Sequence, residues 1–373
     1  MHRMRQLVVA AALAAGALLA TAAPAMAADG NRGGKAVYTL TNSPSGNAVA
    51  IFDRASDGSL TADGTVPTGG AGTGTGLGSQ GALVLDDRRL FAVNAGSNTI
   101  SSLRVGRRGK VSLTDVARSG GANPVSLTAR GRLLYVLNAG DAETPANIHG
   151  FLVLRGELIR LPGSSRPLST ALPEPAQIQF TPNGRHLVVT EKGTNRIVTY
   201  RVGRFGYASG PNAQPSAGET PFGFAFDRRG LLIVSEAFGG APDASVLSSY
   251  RVTPGGTVAA VDPNVATTET AACWVVVTKD GRYTYTTNTG SNSISGYAIG
   301  SDGGLTLLDA DGRTAATGAG PLDAALSRGS RFLYTLNSGT HEIEAFAVSP
   351  DGSLDALGTA GGLPPGAIGL AAS

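Results

Sequence analysis

The feature that most constrains the fold is a short strand-like segment that recurs along the whole chain. A clear copy is Arg132-Leu-Leu-Tyr-Val-Leu-Asn-Ala-Gly140. A period of 20 to 50 residues is typical of architectures built from one supersecondary unit per repeat. The repeat therefore constrains the fold more than any local motif does. Its seven copies, spaced by 44 to 53 residues, close at positions 42, 94, 138, 191, 236, 288 and 337.

Each repeat has the same order of segments. An apolar segment precedes a turn such as Pro182-Asn-Gly184, in which glycine tolerates a positive φ angle. The recurring segment, a polar loop and a third segment follow, and a second turn such as Asp351-Gly352 leads into a short fourth segment. Four antiparallel strands per repeat, seven repeats and no helical periodicity predict an all-β, seven-bladed β-propeller.

The recurring segment is apolar on both of its faces, as in Leu133-Leu-Tyr-Val-Leu137. This pattern suits a blade packed between two neighbouring blades. The alternative, a β-sandwich, requires alternating polar positions on its outer faces, and the segment lacks them. We expect blades at residues 36–66, 79–118, 122–168, 174–210, 219–260, 269–309 and 319–359.

The two ends of the chain complement each other. The first repeat lacks an innermost strand before Ala36, and the last repeat is followed by a spare apolar segment. We expect residues 365–372 to form the innermost strand of blade one. Such pairing closes the ring with both chain ends in one sheet and removes an exposed edge.

The N-terminal residues resemble a targeting segment. His2, Arg3 and Arg5 precede an apolar run over residues 7–23, and Ala25-Met-Ala27 follows. This order predicts a secretory signal peptide, residues 1–27, and a mature single propeller domain, residues 28–373. The alternative is a membrane anchor, but the run is shorter than the roughly 20 residues of a spanning helix. We therefore expect a secreted, extracytoplasmic protein that is not inserted in a membrane after cleavage.

Charge and cysteine content narrow the function classes. Without residues 1–27 the chain has 28 basic and 27 acidic residues and no run of Lys or Arg, which argues against a nucleic-acid partner. Cys273 is the only cysteine, so an intramolecular disulfide is excluded. It lies in an apolar run, which favours a small buried hydrophobic residue over a reactive thiol.

Candidate binding residues follow from the propeller geometry. Loops between second and third strands share one face with the blade connections, around the mouth of the central channel. The Gly-rich connection over residues 68–78 also lies there, as a flexible linker or as an N–H cradle for an anion. The recurring Asn positions either bind a ligand or cap their own loops. The candidate ligand-binding residues are Gln80, Asn94, Asn138, Asn288 and Asn337.

Two adjacent blades carry a carboxylate where others carry Asn. Glu191 and Glu236 are candidate catalytic residues, as acid and base or as ligands of a cation. The alternative is that each is solvated or paired locally, Glu191 for example with Lys192 or Arg196. No G-x-S-x-G or H-E-x-x-H motif occurs. Because the histidines lie at different points of the repeat, we expect no metal site and no cofactor. The mature chain's histidines are His149, His186 and His341.

One stretch resembles a known family closely. Phe180-Thr-Pro-Asn-Gly-Arg-His-Leu-Val-Val-Thr-Glu-Lys-Gly-Thr-Asn-Arg-Ile-Val-Thr-Tyr200 is similar to F-S-P-D-G-R-x-L-Y-V-x-D-L-G-x-D-R-V-x-x-Y of the seven-bladed propeller lactonases. That family includes 6-phosphogluconolactonases and 3-carboxy-cis,cis-muconate cyclases. The Tyr-Val-Leu-Asn strands also resemble the Y-V-T-N repeats of surface-layer propellers. The resemblance covers the mature chain at the level of blades and implies an enzyme active on a small lactone or carboxylate.

The chain departs from the family where the family's chemistry lies. The inner strand of blade four reads Glu174-Pro-Ala176 where H-A-H is usual, and that of blade five reads Pro221-Phe-Gly223 where P-R-H is usual. Three functions stay open. They are a monomeric propeller binding a small molecule, glycan or protein at the channel mouth; a diverged lactonase or cyclase using Glu191 or Glu236 as general base; and a structural cell-surface propeller.

Overall fold

The computed structural model describes residues 35–106 and 109–373, whose strands form seven antiparallel sheets around a central channel. The prediction of an all-β, seven-bladed propeller is confirmed. In the described part of the chain, helical structure is limited to short 3₁₀ turns such as Ala95–Ser97 and Phe238–Gly240. The expected signal peptide, residues 1–27, lies outside the described residues and stays a prediction.

The strands of each blade are given from the channel outwards. Blade one contains β30 (Ile368–Ala372), β1 (Ala36–Leu40), β2 (Ala48–Arg54) and β3 (Leu60–Pro67). Blade two contains β4 (Leu83–Asp86), β5 (Arg89–Asn94), β6 (Thr99–Val105) and β7 (Val111–Arg118). Blade three contains β8 (Pro124–Arg130), β9 (Leu133–Asn138), β10 (Asn147–Leu154) and the short outer strands β11 (Glu157–Arg160) and β12 (Arg166–Pro167).

The remaining blades follow the same order. Blade four contains β13 (Pro175–Phe180), β14 (His186–Glu191), β15 (Arg196–Val202) and β16 (Ala208–Pro215). Blade five contains β17 (Pro221–Phe226), β18 (Leu231–Glu236), β19 (Val246–Val252) and β20 (Val258–Ala266). Blade six contains β21 (Ala272–Val277), β22 (Tyr283–Asn288), β23 (Ser293–Ile299), β24 (Leu305–Leu307) and β25 (Ala315–Ala316). Blade seven contains β26 (Pro321–Leu326), β27 (Phe332–Asn337), β28 (Glu342–Val348) and β29 (Leu354–Ala360).

The C-terminal strand closes the ring as the sequence predicts. β30 pairs antiparallel with β1, with Tyr38 opposite Ala371 and Thr39 opposite Leu370. The Arg54 guanidinium donates to the carbonyl of Ser373 at 2.8 Å, which ties the end of the chain to blade one. The strand begins at Ile368, three residues later than expected, because the residues before it form a turn.

Burial explains which strands the sequence reveals well. Every residue of β14, β18 and β27 is buried, since these second strands are covered by a blade on each side. The fourth strands are mostly exposed. Few apolar residues mark those outer strands. Blades four and five accordingly extend to Pro215 and Ala266, beyond the expected ends at 210 and 260.

The recurring tyrosine of the second strand joins neighbouring blades. Tyr135 donates to the carbonyl of Gly206 at 2.7 Å, Tyr285 to that of Gly352 at 2.8 Å, and Tyr334 to that of Gly58 at 3.0 Å. Each acceptor lies in the hairpin turn between the third and fourth strands of the next blade. The ring is buried and the hydroxyl satisfied, which is how a core tyrosine stabilises a fold. The repeat therefore encodes contacts between blades as well as the strands themselves.

Candidate functional site

The channel has two different ends. The upper face carries the loops between second and third strands together with the connections between blades. The lower face carries the hairpin turns between first and second strands, such as Asn183-Gly184. The first strands line the channel between the two faces. The candidate site predicted from the sequence belongs to the upper face.

The connection between blades one and two closes the upper mouth of the channel. We call residues 68–81 the strap. The Ser79 hydroxyl donates to the Val125 carbonyl of blade three at 2.8 Å, and the Ser79 carbonyl accepts from Trp274 Nε1 of blade six at 3.0 Å. The Gln80 N–H donates to the Ala176 carbonyl of blade four at 3.0 Å. A segment that contacts blades three, four and six at once must lie near the channel axis.

Gln80 spans the channel, and both the nitrogen and the oxygen of its side-chain amide are hydrogen-bonded to protein atoms. Gln80 Nε2 donates to the Val275 carbonyl at 2.8 Å, and Oε1 accepts from the Val275 N–H at 3.0 Å. Gln177 makes the same pair of bonds to Phe224, from blade four to blade five. At the matching position of blade five stands Gly223, whose Cβ, if present, would lie 2.2 Å from Gln80 Oε1. Gln80 thus supplies the link between blades that Gly223 cannot make.

Lys192 is a residue of the upper face whose position sequence reasoning missed. Its Nζ donates to the Gly78 carbonyl of the strap at 2.6 Å and lies 4.7 Å from the centre of the Phe222 ring. Burial lowers the pKa of this lysine. Burial also raises the pKa of the nearby Cys273 thiol to about 12, so the thiol is protonated and unreactive at neutral pH, as a small buried residue should be. The Lys192 side chain therefore fastens the strap.

Glu191, a predicted catalytic residue, is fully buried and locally satisfied. Its carboxylate accepts from the N–H of Ser169 at 3.0 Å, from the hydroxyl of Ser169, and from Thr194 Oγ1 at 2.7 Å. These partners differ from the Lys192 or Arg196 that local pairing suggested. The carboxylate joins the connection between blades three and four to the end of β14.

Glu236, the second predicted catalytic residue, is buried in the same way in blade five. It accepts from Ser216 at 2.6 Å and from the hydroxyls of Ser248 and Tyr250. Burial and the Glu236 charge both raise the pKa of Tyr250, so the phenol stays protonated and donates. The catalytic assignment of Glu191 and Glu236 stays a prediction, but their burial among hydroxyl donors favours the local alternative.

A recurring hydroxyl explains why these glutamates are accommodated. A Ser or Thr follows the outermost strand of six blades, at Thr68, Ser119, Ser169, Ser216, Thr267 and Thr317. Three of these hydroxyls donate to the residue that ends the next second strand, which is Asn94, Glu191 or Glu236. The spacing of about 50 residues was available in the sequence as a second periodic signal.

The predicted Asn residues of the upper face are also buried. Asn94 accepts from Thr68 and donates to Ser101, at 2.7 and 2.8 Å. The others donate to side chains of their own blade, and their Oδ1 atoms have no partner within the described residues. These amides therefore bond mainly to side chains and not to the loop N–H groups that capping would involve, and the ligand-binding assignment stays a prediction. The three with an unpartnered Oδ1, all fully buried, are Asn138, Asn288 and Asn337.

Below Gln80 the channel contains two cavities of about 430 and 310 Å³. Their polar groups include the amides of Gln80, Gln177 and Gln179, and aliphatic and aromatic side chains such as Leu85 and Phe226 lie among them. Gln179 Oε1 has no hydrogen-bond partner among the described residues. No Lys, Arg or His lines either cavity in that part of the chain. Among the described residues, the lining of the open channel is therefore rich in amide groups and has no cationic side chain.

Asp323 is the one ionisable group lining these cavities within the described residues. It accepts from the N–H groups of Ala324 at 2.8 Å and Leu370 at 3.1 Å, which links blade seven to blade one. Burial raises the pKa of Asp323 to about 8, although both N–H groups favour the charged form. The Asp323 carboxyl is therefore protonated in most molecules at neutral pH.

The histidines lie apart. His149 contacts Ser165 in blade three, His186 begins β14, and His341 lies in a loop of blade seven. Among residues 35–106 and 109–373, no group of three or more His, Cys, Asp or Glu side chains is placed to hold a metal ion. The same residues include no helix with the length and apolar character to cross a membrane.

Comparisons with known proteins agree with this architecture. The model of the family described as "Lactonase, 7-bladed beta-propeller" matches residues 82–363. A protein from Lactobacillus plantarum has a similar structure, with a TM-score of 0.72 and 18% identity over 91% of this chain and 99% of that one. The periplasmic gluconolactonase of Pseudomonas aeruginosa has a TM-score of 0.66 and 20% identity over 89% and 98%. These similarities show the fold. No curated protein matches the chain in sequence.

Proposed function

The chain belongs to the seven-bladed β-propeller lactonase family, and from this premise we propose that it is a non-catalytic, extracytoplasmic protein that binds a small uncharged molecule in its channel. The observation that carries the proposal is the lining of the open channel, which combines glutamine amides with aliphatic and aromatic side chains and includes no Lys, Arg or His among the described residues. A carboxamide both donates and accepts, so it matches the hydroxyl and carbonyl groups of an uncharged ligand.

The size of the channel favours a small molecule over a glycan chain or a protein. Cavities of 310 and 430 Å³ lie in the range of small-ligand sites. Leu85, Phe226 and Leu326 provide apolar surface, and Gln177 and Gln179 provide the few polar groups that orient a ligand. Asp323 is mostly neutral at pH 7, so it adds little charge to the lining.

The positions of the candidate catalytic groups support a binding role. A general base must come within about 3 Å of the proton that it removes. Glu191 and Glu236 are fully buried, and hydroxyl or N–H donors occupy their oxygens. Gln80 and the rest of the strap also cover the upper mouth of the channel.

Export is part of the proposal and rests on the N-terminal sequence. Residues 1–27 have the order of a secretory signal, with cleavage expected after Ala27. Sequencing the N-terminus of protein recovered from the producing cell tests this directly. A mature chain that begins at Ala28 supports export, and an intact Met1 in soluble protein contradicts it.

Lactone hydrolysis is the second candidate, favoured by the family and by the name of the Pseudomonas aeruginosa relative. It requires the strap to move away from the upper mouth. Lys192, at present bound to Gly78, would then be free to stabilise developing negative charge. Glu236 would have to exchange its hydroxyl partners for substrate or water.

One experiment separates the two functions. Purified protein is screened by thermal shift against uncharged sugars and lactones, and lactone hydrolysis is followed in parallel. Saturating ligand at 100 times its dissociation constant stabilises a protein by about 2.7 kcal/mol. We expect a ligand-induced rise in Tm that Gln179→Ala abolishes, because the variant lacks an amide that contacts the ligand. The fold should be retained, because Gln179 Oε1 accepts no hydrogen bond from the described residues.

Gln214→Ala is the matched control, because Gln214 lies in the outer strand β16, far from the channel lining. The rise in Tm should persist in this variant. Lactone turnover that Glu236→Gln removes, in protein that remains folded, would instead establish the enzyme. Turnover unaffected by Glu236→Gln, together with no ligand-induced shift in Tm, would refute both assignments.

A further inference from the structure

A larger cavity lies outside the channel, at the lower edge of blade four. Its volume is about 570 Å³. The turn before β14, the end of β15 and the turn that follows β15 form its wall, and Pro254 of blade five completes the rim. It shares no lining residue with the channel cavities, so it is independent of the site proposed above.

Three arginines line this cavity without a compensating acid. Arg185, Arg201 and Arg204 are exposed, and no Asp or Glu is among the described lining residues. None of the three guanidinium groups forms an ion pair or donates a hydrogen bond within the described part of the chain; Arg204 stacks on the ring of Phe205 at 4.3 Å. The ion pairs of that part involve other arginines, namely Arg229, Arg282, Arg313 and Arg328.

The strand pairing explains the cluster. β14 and β15 are antiparallel, and His186 lies opposite Arg201 in their register. Arg185 precedes His186 directly, so two guanidinium groups flank one imidazole at the open end of the hairpin. Arg204 follows in the next turn. Like charges held this close repel one another, and a bound anion relieves that repulsion.

His186 gives an independent indication of a ligand. His186 is among the residues that line the cavity, it is only 3% exposed, and its Nε2, near Gly256 of blade five, has no hydrogen-bond partner within residues 35–106 and 109–373. Buried polar atoms in proteins nearly always have a partner. Burial, and then Arg201 and Arg185, lower the pKa of His186, so the ring is neutral at pH 7. A neutral imidazole can exchange a hydrogen bond with a ligand held by the arginines.

We propose that this cavity binds a small organic oxyanion, a molecule that presents a carboxylate or phosphate group to Arg185, Arg201 and Arg204, with His186 as a further hydrogen-bond partner. Guanidinium groups match both oxyanions in geometry, often with two parallel bonds. The volume exceeds that of an inorganic ion and suits an organic body, for which the half-exposed ring of Tyr207 provides apolar surface. The concave shape favours a small molecule over an extended polyanion.

Calorimetric titration with citrate and with glycerol phosphate tests the proposal and distinguishes the two oxyanions. Arg201→Gln removes one guanidinium from an exposed position, so the fold is retained. A charge-assisted hydrogen bond contributes about 1.5–3 kcal/mol, and its loss should weaken binding by roughly 10-fold to 100-fold. Imidazole NMR signals of His186 should shift when the anion is added and stay unchanged when neutral glycerol is added.

Arg104→Gln is the matched control, because Arg104 occupies the corresponding position of the third strand in blade two, away from this cavity. We expect its affinity to stay within about twofold of the wild type, as for a charge that makes no ligand contact. Equal losses in the two variants would overturn the proposal. A dissociation constant above roughly 10 mM for both anions, which is a very weak affinity, would also overturn it. So would binding of heparin alone that Arg201→Gln leaves unaffected.

Discussion

Two polar clusters, one at the upper and one at the lower end of this propeller, differ in how far the protein satisfies their side chains. At the upper end, the protein supplies the hydrogen bonds of the half-buried Gln80 and of the fully buried Glu191 and Glu236. At the lower end, Arg185 and Arg201 are exposed beside an open cavity and have no acidic partner within the described residues. The two upper glutamates therefore already have protein partners, whereas the unpaired arginines of the lower cavity lie in a region that the repeat does not mark.

The difference has a physical origin. A carboxylate buried at a blade junction is tolerated only with compensating donors, and the recurring hydroxyl of the preceding connection provides them. A guanidinium at a hairpin turn is hydrated and needs no partner for the fold. The fold therefore requires the partners of the buried upper carboxylates, whereas the exposed guanidinium groups of the lower cavity are free to contact a ligand.

The largest expected effect concerns the closure of the upper end. Gly223→Ala would place Cβ 2.2 Å from Gln80 Oε1 and 2.4 Å from the Cys273 carbonyl, so the strap or β21 must shift. We expect the free energy of unfolding to fall by about 3 kcal/mol, measured by urea denaturation. Gly329→Ala, in open space in a turn of the lower face, should change it by less than about 0.5 kcal/mol. Equal effects would contradict the contrast between the two ends.

The second expected effect tests whether Glu236 is scaffold. Glu236→Gln replaces a carboxylate that accepts from Ser216, Ser248 and Tyr250 with an amide that must donate at one end. The loss of a charge-assisted bond should lower the unfolding free energy by about 2 kcal/mol. Glu219→Gln, an exposed glutamate of the same connection, should leave it within about 0.5 kcal/mol. A fully stable Glu236→Gln protein would show that the bonds of this carboxylate contribute nothing to stability.

A third effect concerns pH. The folded-state pKa of Asp323 is raised to about 8, above its value in the unfolded chain. Between these two pKa values, the folded protein holds a proton on Asp323 that the unfolded chain has lost. This contribution to stability is complete below about pH 4 and is lost as the pH rises through about 8, with a slope of at most about 1.4 kcal/mol per pH unit. Denaturation at pH 5, 7 and 9 should show this fall in the wild type and a flatter profile in Asp323→Asn. Identical profiles would exclude Asp323 as its source.

The smallest expected effect is on the stability of the lower end. Arg185→Gln removes an exposed guanidinium that has no described ion pair, so the unfolding free energy should change by less than about 0.5 kcal/mol. A slight gain is the expected sign, because the repulsion from Arg201 is reduced. A clear destabilisation, measured by the same denaturation at low ionic strength, would mean that the lower arginines serve the fold as well.

The sequence contained more of the site than its local motifs revealed. The recurring hydroxyl at residues such as Ser169 and Ser216 is periodic, so the partners of Glu191 and Glu236 could have been inferred from the repeat. The pairing of His186 with Arg201 also follows from the register of one hairpin. The insertion of Gln80 beside Gly223 could not be inferred, because it joins residues 143 positions apart in sequence through the ring as a whole.

By itself, the sequence determined the number of blades, the order of strands and the closure of the ring by the C-terminal strand, which was expected over residues 365–372. Local periodicity and turn chemistry specify these features, and each repeat restates them. Only the tertiary structure decided which polar groups face a partner and which face solvent. That outcome depends on how blades that are distant in sequence meet at the channel and at their edges. The strap over the upper mouth and the arginines around His186 are both products of that assembly.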